Sequence, residues 1–161
     1  MTELSGKISG NQKRKMKSAS RFFAVQALFQ MEQSEQGLDK VRQEFIDHRF
    51  GAMVDDGVEM LEGDVVLFSS ILESAISYQA KIDQMTDRAL VAKWPINRID
   101  TTMRALFRAA GAELQSQDTP PKVVISEFVS VAEAFFPDGK ETKFVNAVLD
   151  HMAREAKPEA F

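Results

Sequence analysis

The spacing of apolar positions predicts helices along most of the chain. Apolar side chains recur every three or four residues in several segments, which places them on one face of a helix. The clearest stripes are Leu38–Ile46, Phe68–Ile76, Ile99–Leu114, Val124–Phe135 and Val145–Met152. No segment alternates apolar and polar residues as a half-buried strand does. The sequence therefore predicts an all-α protein with about seven helices.

Glycine, proline and short polar runs predict where these helices end. The expected breaks are Gly37, Phe50–Gly63, Trp94-Pro95, Ser116–Thr119 and Pro137–Gly139. Asp64 is expected to cap the helix that follows the second break. The two ends of the chain lack an apolar stripe. We therefore expect a disordered tail at residues 1–11, a single domain at 12–155 and a frayed tail at 156–161.

One predicted helix, from near residue 12 to Gln33, changes from basic to apolar along its length. Its cations are Lys13, Arg14, Lys15, Lys17 and Arg21. At ~100° per residue, Arg14, Lys17 and Arg21 fall within a sector of about 60°, which Val25 continues. Burying these cations would cost several kcal/mol each. We therefore expect only the second half to pack on the body, while the first half offers its cations to an anionic ligand.

The charge is distributed unevenly along the chain. Residues 1–21 contain six Lys or Arg against one Glu, whereas the other 140 residues contain 14 basic and 23 acidic side chains. A basic arm on an acidic body indicates a nucleic-acid ligand or another anionic surface. Single-stranded RNA is favoured over duplex DNA, because no pair of recognition helices and no dimer motif is apparent.

The sequence offers no arrangement that predicts catalysis, a cofactor or a metal. The chain has no cysteine, and its two histidines, His48 and His151, lie far apart on different predicted helices. No glycine-rich phosphate loop follows a strand. The apolar runs are shorter than the ~20 residues of a membrane span, and residues 1–20 lack the apolar centre of a secretory signal. We therefore expect a cytoplasmic protein that is not an enzyme and does not enter a membrane.

Four stretches of the sequence resemble the NusB-type transcription antitermination factors. They are RFFAVQALFQ (Arg21–Gln30), WPINRIDTTMRALFRAAGAEL (Trp94–Leu114), PPKVVISEFVSVAEAF (Pro120–Phe135) and KFVNAVLD (Lys143–Asp150). The resemblance covers most of residues 13–154, and the four motifs follow one another in the family's order.

The resemblance implies a compact all-α fold of two small helical bundles. It implies binding to the boxA element of ribosomal-RNA leader transcripts, together with the small-subunit ribosomal protein NusE, in a transcription elongation complex whose termination is suppressed. Lys17 and Arg21 match basic positions of the family's RNA-binding segment. Phe144 matches an aromatic position that the family places at the RNA surface, and Lys143 beside it is expected to contact phosphate.

The chain also departs from the family pattern. The family's arm has consecutive arginines where this chain has Ser18 and Ala19, which predicts weaker RNA contacts or contacts moved upstream to Lys13–Lys15. Met103, Ala112 and Ser126 replace the family's usual acidic, Tyr and Asn residues. The Met103 change is expected to alter a polar contact with the protein partner.

Two other functions remain open from the sequence. The chain could be a helical protein-binding scaffold whose basic arm meets an acidic partner without RNA. It could also be the leader domain of an RNA methyltransferase, since such enzymes contain NusB-like domains. The second alternative is not the whole enzyme, because the 161 residues contain no parallel-sheet pattern and no cofactor loop.

Overall fold

The computed structural model describes residues 9–50, 62–93 and 99–161, and over these ranges the protein is all-α. The helices are α1 (Gly10–Ser34), α2 (Leu38–His48), α3 (Glu62–Ser77), α4 (Gln79–Lys93), α5 (Thr101–Ser116), α6 (Pro121–Phe135) and α7 (Lys140–Ala156). The predicted all-α class and number of helices are confirmed. No helix in the described ranges has the length and apolar character needed to cross a membrane.

The helix α1 begins at Gly10, before the predicted start near residue 12, because a capping box precedes it. The Ser9 hydroxyl accepts a hydrogen bond from the Gln12 backbone N–H at 3.1 Å, and the Gln12 side chain accepts one from the Ser9 backbone N–H at 3.1 Å. Residues 9–11 therefore belong to the cap and first turn of α1. The rest of the predicted N-terminal tail lies outside the described residues.

Two packed groups of helices share α5. The first group consists of α1, α2 and α3, and the second of α4, α6 and α7; α5 packs against helices of both. Ten of its sixteen residues are buried. At Gly111 the α4 helix approaches so closely that an added Cβ would lie 2.6 Å from Cγ2 of Ile82. The two predicted helical bundles are therefore joined by one central helix.

The predicted apolar stripes form the core with few exceptions. The stripe residues of α5 from Met103 to Leu114 are buried, and so are those of α7 from Val145 to Met152. Ile76 is the clear exception, because 41% of its surface is exposed near the end of α3. The prediction that Ile76 faces the core is therefore wrong.

Most breaks between helices agree with the sequence where they can be compared, but α3 begins at Glu62, so the prediction that Asp64 caps this helix is wrong. The α3 and α4 helices are separated at Tyr78, although its backbone N–H still bonds to the Ser74 carbonyl. Gly139, with φ of 78°, separates α6 from α7. Most of the predicted Phe50–Gly63 loop and the Trp94-Pro95 interruption lie outside the described residues.

The C-terminal residues continue past α7 as a 3-10 turn at Pro158–Ala160, where the sequence predicts a frayed tail. Two contacts hold this segment. The Lys157 ammonium donates a hydrogen bond to the Gln117 carbonyl at 2.7 Å, and the Arg154 guanidinium lies 4.4 Å from the centre of the Phe161 ring. The C-terminal segment therefore packs beside the loop that joins α5 to α6.

Candidate functional site

The first two turns of α1 present four exposed cations. Lys13, Arg14, Lys15 and Lys17 are exposed, and no ion pair joins them to a carboxylate of the described residues. The helix nevertheless does not stand clear of the body as predicted. Met16, with 2% of its surface exposed, anchors the same turns in the protein. The cations are therefore held on a docked helix.

Arg21 does not share the exposure of the other cations, which corrects its predicted role as a direct RNA contact. Only 5% of Arg21 is exposed. Its Nε and Nη2 donate hydrogen bonds of 2.8 Å each to the two carboxylate oxygens of Glu113 on α5. Its Nη1 donates a third, of 3.0 Å, to Glu127 on α6. The cost of burying the guanidinium is offset by this bidentate pairing.

The electrostatics of this pair keep Arg21 charged. Burial lowers the pKa of the Arg21 guanidinium, but the hydrogen bonds and charges of Glu113, followed by the charge and hydrogen bond of Glu127, raise it by more. The pKa of Arg21 therefore lies above its ordinary value. Arg21 acts as a fixed structural cation that joins α1 to α5 and α6.

The same two carboxylates bind further residues around Arg21. Glu127 accepts a hydrogen bond from the Ser18 hydroxyl at 2.6 Å, and the fully buried Glu113 accepts one from the Thr119 hydroxyl at 2.8 Å. Thr119 lies in the loop between α5 and α6. The network therefore fixes α1 relative to that loop, and Ser18 joins α1 to α6.

A cleft of about 460 Å³ lies between α1 and this loop. Its residues come from α1, from the loop and from the first turns of α6. They are Arg14, Lys17, Arg21, Gln117, Asp118, Thr119, Pro120, Val123 and Glu127. The loop side of the cleft is not predictable from the sequence, because residues about 100 positions apart meet only through the tertiary fold.

The two predicted site residues on α7 lie in a different part of the surface. Lys143 is exposed, and Phe144 is half-buried with its ring edge-on to Phe107, at 6.2 Å between ring centres. A ring stack joins α1 to the end of α6. Phe22 of α1 stacks on Phe135 at the end of α6, with ring centres 5.1 Å apart, and α7 begins five residues later.

A second, more apolar groove of about 430 Å³ also involves α1. Its apolar residues include Val25, Phe29, Phe45 and Phe135, and glutamine amides from α1 lie at its edge. From the sequence, the second half of α1 is expected to pack on the body, and Phe45 and Phe135 belong to the predicted apolar stripes of α2 and α6. Phe29 and Phe135 remain half-buried and leave this groove open between α1, α2, α5 and α6.

The part of the chain that the structure describes contains no cluster of three His, Cys, Asp or Glu side chains arranged to bind a metal. His48 is exposed on α2 and His151 is half-buried on α7. The site therefore consists of cations, a cleft and an apolar groove, which can bind ligands through charge, hydrogen bonds and apolar contact.

Known proteins are similar in sequence to this chain over almost its whole length. The model of the NusB family matches residues 18–154. The transcription antitermination protein NusB of Maricaulis maris is 43% identical over 148 residues, which is 91% of each chain. The protein of the same name from Granulibacter bethesdensis is 42% identical over 156 residues, or 94% of this chain and 95% of that one.

Solved structures share the fold. T. maritima NusB aligns with a TM-score of 0.67 and 26% identity, over 90% of this chain and 96% of that one. The antitermination factor structure of NusB and NusE in complex with double-stranded RNA contains a chain that aligns with a TM-score of 0.65. That alignment covers 88% of this chain and 98% of the other at 19% identity, so it shows the fold alone. By sequence and by fold, the chain belongs to the NusB family.

Proposed function

We propose that the protein is an RNA-binding transcription antitermination factor. It binds boxA-type RNA of ribosomal-RNA leader transcripts together with the ribosomal protein NusE, within a cytoplasmic transcription elongation complex. The observation that supports this most is the set of four exposed cations on the docked α1 helix, which form no ion pair with the residues that the structure describes. The names of the related proteins, and the NusE and double-stranded RNA bound in a structural relative, support the same function.

Binding, rather than catalysis, accounts for this activity. Lys13, Arg14, Lys15 and Lys17 neutralise phosphates and release the counterions condensed on the RNA. The buried Arg21 network and Met16 already hold these turns of α1 in place. The conformational entropy of ordering an arm, about 1–2 kcal/mol per residue, is therefore lost during folding and not during RNA binding.

The α7 residues extend the proposed RNA surface. Lys143 offers an exposed cation, and the half-buried Phe144 offers the accessible part of its ring, which packs against Phe107. A base that stacks on an aromatic side chain gains about 1–3 kcal/mol without strict sequence preference. These two residues therefore supply a phosphate contact and a stacking contact, while α1 supplies most of the charge.

The apolar groove around Phe29 and Phe135 offers a surface for the protein partner. Half-buried aromatic side chains in an open groove are typical anchors of a protein interface. The groove and the exposed cations both use α1, so a partner seated in the groove lies beside the bound RNA. The RNA contacts of the partner then add to the RNA contacts of α1, and neither protein surface has to change.

A fluorescence anisotropy titration tests this function directly. A labelled boxA-type RNA, in single-stranded and in double-stranded form, is titrated with the protein, with and without NusE. We expect RNA binding by the protein alone and tighter binding when NusE is present. If neither RNA binds even with NusE present, while the protein still binds NusE, the helical scaffold without RNA is the better account.

A further inference from the structure

The cleft between α1 and the α5–α6 loop has a charge composition that a plain anion site would not have. This inference rests on the proposed function. Arg14 and Lys17 add two positive charges at the α1 side, while Asp118 adds a negative charge at the loop side. Arg21 at the base is bound by two carboxylates, Glu113 and Glu127. The cationic and anionic groups are thus equal in number, and a free phosphate gains little net attraction.

The loop side of the cleft also has an apolar surface. Pro120 and Val123 are exposed, and 42% of the Val123 surface is accessible although it is a large apolar residue. Both residues line the cleft. A flat ring placed against them would remove their apolar surface from water, which is favourable by about 25 cal/mol per Å².

Hydrogen bonds fix the two sides of the cleft to each other. Thr119 is fixed to Glu113, which in turn binds Arg21 of α1. Two residues before Thr119, the backbone carbonyl of Gln117 accepts a hydrogen bond from the Lys157 ammonium at 2.7 Å. Because the two sides are connected through a buried carboxylate, the separation between the cations and the loop is set by the fold.

We propose that this cleft binds one nucleotide of the RNA. The phosphate of that nucleotide lies on Arg14 and Lys17, its base packs against Pro120 and Val123, and the base edge faces Asp118. A nucleotide matches the cleft because it combines one negative charge with a flat ring and hydrogen-bonding groups. Purely acidic ligands would be repelled by Asp118, and purely apolar ligands would leave the cations without partners.

Asp118 gives the cleft a preference among bases. An ionised carboxylate only accepts hydrogen bonds, so it selects a base edge that donates them. The Watson–Crick edge of guanine offers the adjacent N1–H and N2–H donors to the two carboxylate oxygens, whereas uracil offers one donor between two carbonyl acceptors. The cleft therefore favours guanine over uracil.

The test uses the full-length protein and octauridine RNAs that carry one guanosine at each position in turn. We expect at least one position at which guanosine tightens binding about tenfold over octauridine, as a bidentate base contact does. Asp118→Asn should abolish this preference, because an amide presents one donor and one acceptor. The control is Asp138→Asn, which changes an exposed aspartate in the α6–α7 loop and should keep the preference.

A second variant tests the apolar surface separately. Val123→Ser removes apolar contact from an exposed position of α6, and it should weaken binding of the preferred guanosine RNA several-fold with unchanged thermal stability. An unchanged guanosine preference in Asp118→Asn, or no preference in the wild-type protein, would overturn the nucleotide cleft. RNA binding itself would persist in either case, so the proposed function fails only if the wild-type protein binds no RNA.

Discussion

Two sets of cations on one face of α1 have different surroundings. Arg14 and Lys17 are exposed and form no ion pair within the described ranges, whereas Arg21, one to two turns further on, is buried between Glu113 and Glu127. The sequence places the three within about 60° of each other on the helix. Their roles differ because α5 and α6 place carboxylates opposite only one of them. Position on a helix face thus does not decide whether a cation binds a ligand or stabilises the fold.

Removing Arg21 should have the largest effect on stability. Arg21→Met leaves the fully buried Glu113 without its bidentate partner, and breaking a buried ion pair costs about 3–5 kcal/mol. Urea unfolding at neutral pH measures this change. The matched control Arg14→Met changes an exposed cation of the same helix and should shift the free energy of unfolding by less than about 0.5 kcal/mol. Equal losses of unfolding free energy in the two variants would contradict the claim that Arg21, unlike Arg14, stabilises the fold.

Replacing both Arg21 and Glu113 tests whether the loss of stability comes from the unpaired charge. Arg21→Met combined with Glu113→Leu removes the unpaired charge that the single change creates. We expect the double variant to recover about 1–3 kcal/mol relative to Arg21→Met, since apolar residues of similar size can replace a buried ion pair. A double variant that is less stable than Arg21→Met would show that Glu113 stabilises the fold mainly through Thr119.

The Ser18 contact with Glu127 should contribute less. Ser18→Ala removes a hydrogen bond of 2.6 Å to a carboxylate that is partly exposed, which we expect to cost about 1 kcal/mol. Thermal unfolding measures the difference. Ser126→Ala on the exposed face of α6 provides the control and should leave the unfolding temperature unchanged.

The exposed ion pair between Arg88 and Glu155 should give the smallest effect, which is lost in acid. The hydrogen bond from Arg88, followed by its charge, lowers the pKa of Glu155 below its ordinary value of 4.5, although partial burial acts in the opposite direction. The pair therefore stabilises the fold above pH 4.5, and this contribution disappears as the pH falls through the lowered pKa. Glu155→Gln should make stability slightly less dependent on pH below 4.5, whereas Glu133→Gln should not.

The sequence predicts the fold well because local periodicity determines most of it. The stripes on α5, α6 and α7 become the core, and the Pro137–Gly139 break separates the last two helices as expected. Ile76 is the misplaced stripe residue. Helical spacing alone did not show that the stripe on α3 is buried only as far as Ala75.

The candidate site is less predictable, because it depends on pairs of residues far apart in the chain. Helical phasing groups Arg21 with Arg14 and Lys17, but the ion pair that buries it joins residues 92 positions apart. The loop at Gln117–Pro120 resembles an ordinary polar connection in the sequence. Only the tertiary structure places it opposite the cations of α1 and exposes a cleft between them.

The salt dependence of RNA affinity shows whether the exposed cations of α1 contact the RNA phosphates. With four cations of α1 neutralising phosphates of single-stranded RNA, log K should fall with log salt at a slope of roughly −3. The double variant Arg14→Ala/Lys17→Ala should reduce that slope by about 1.4, at unchanged stability, whereas Lys40→Ala/Lys81→Ala, which removes exposed cations of α2 and α4, should not. An unchanged slope in the Arg14 and Lys17 variant would contradict the claim that the exposed half of α1 binds the RNA.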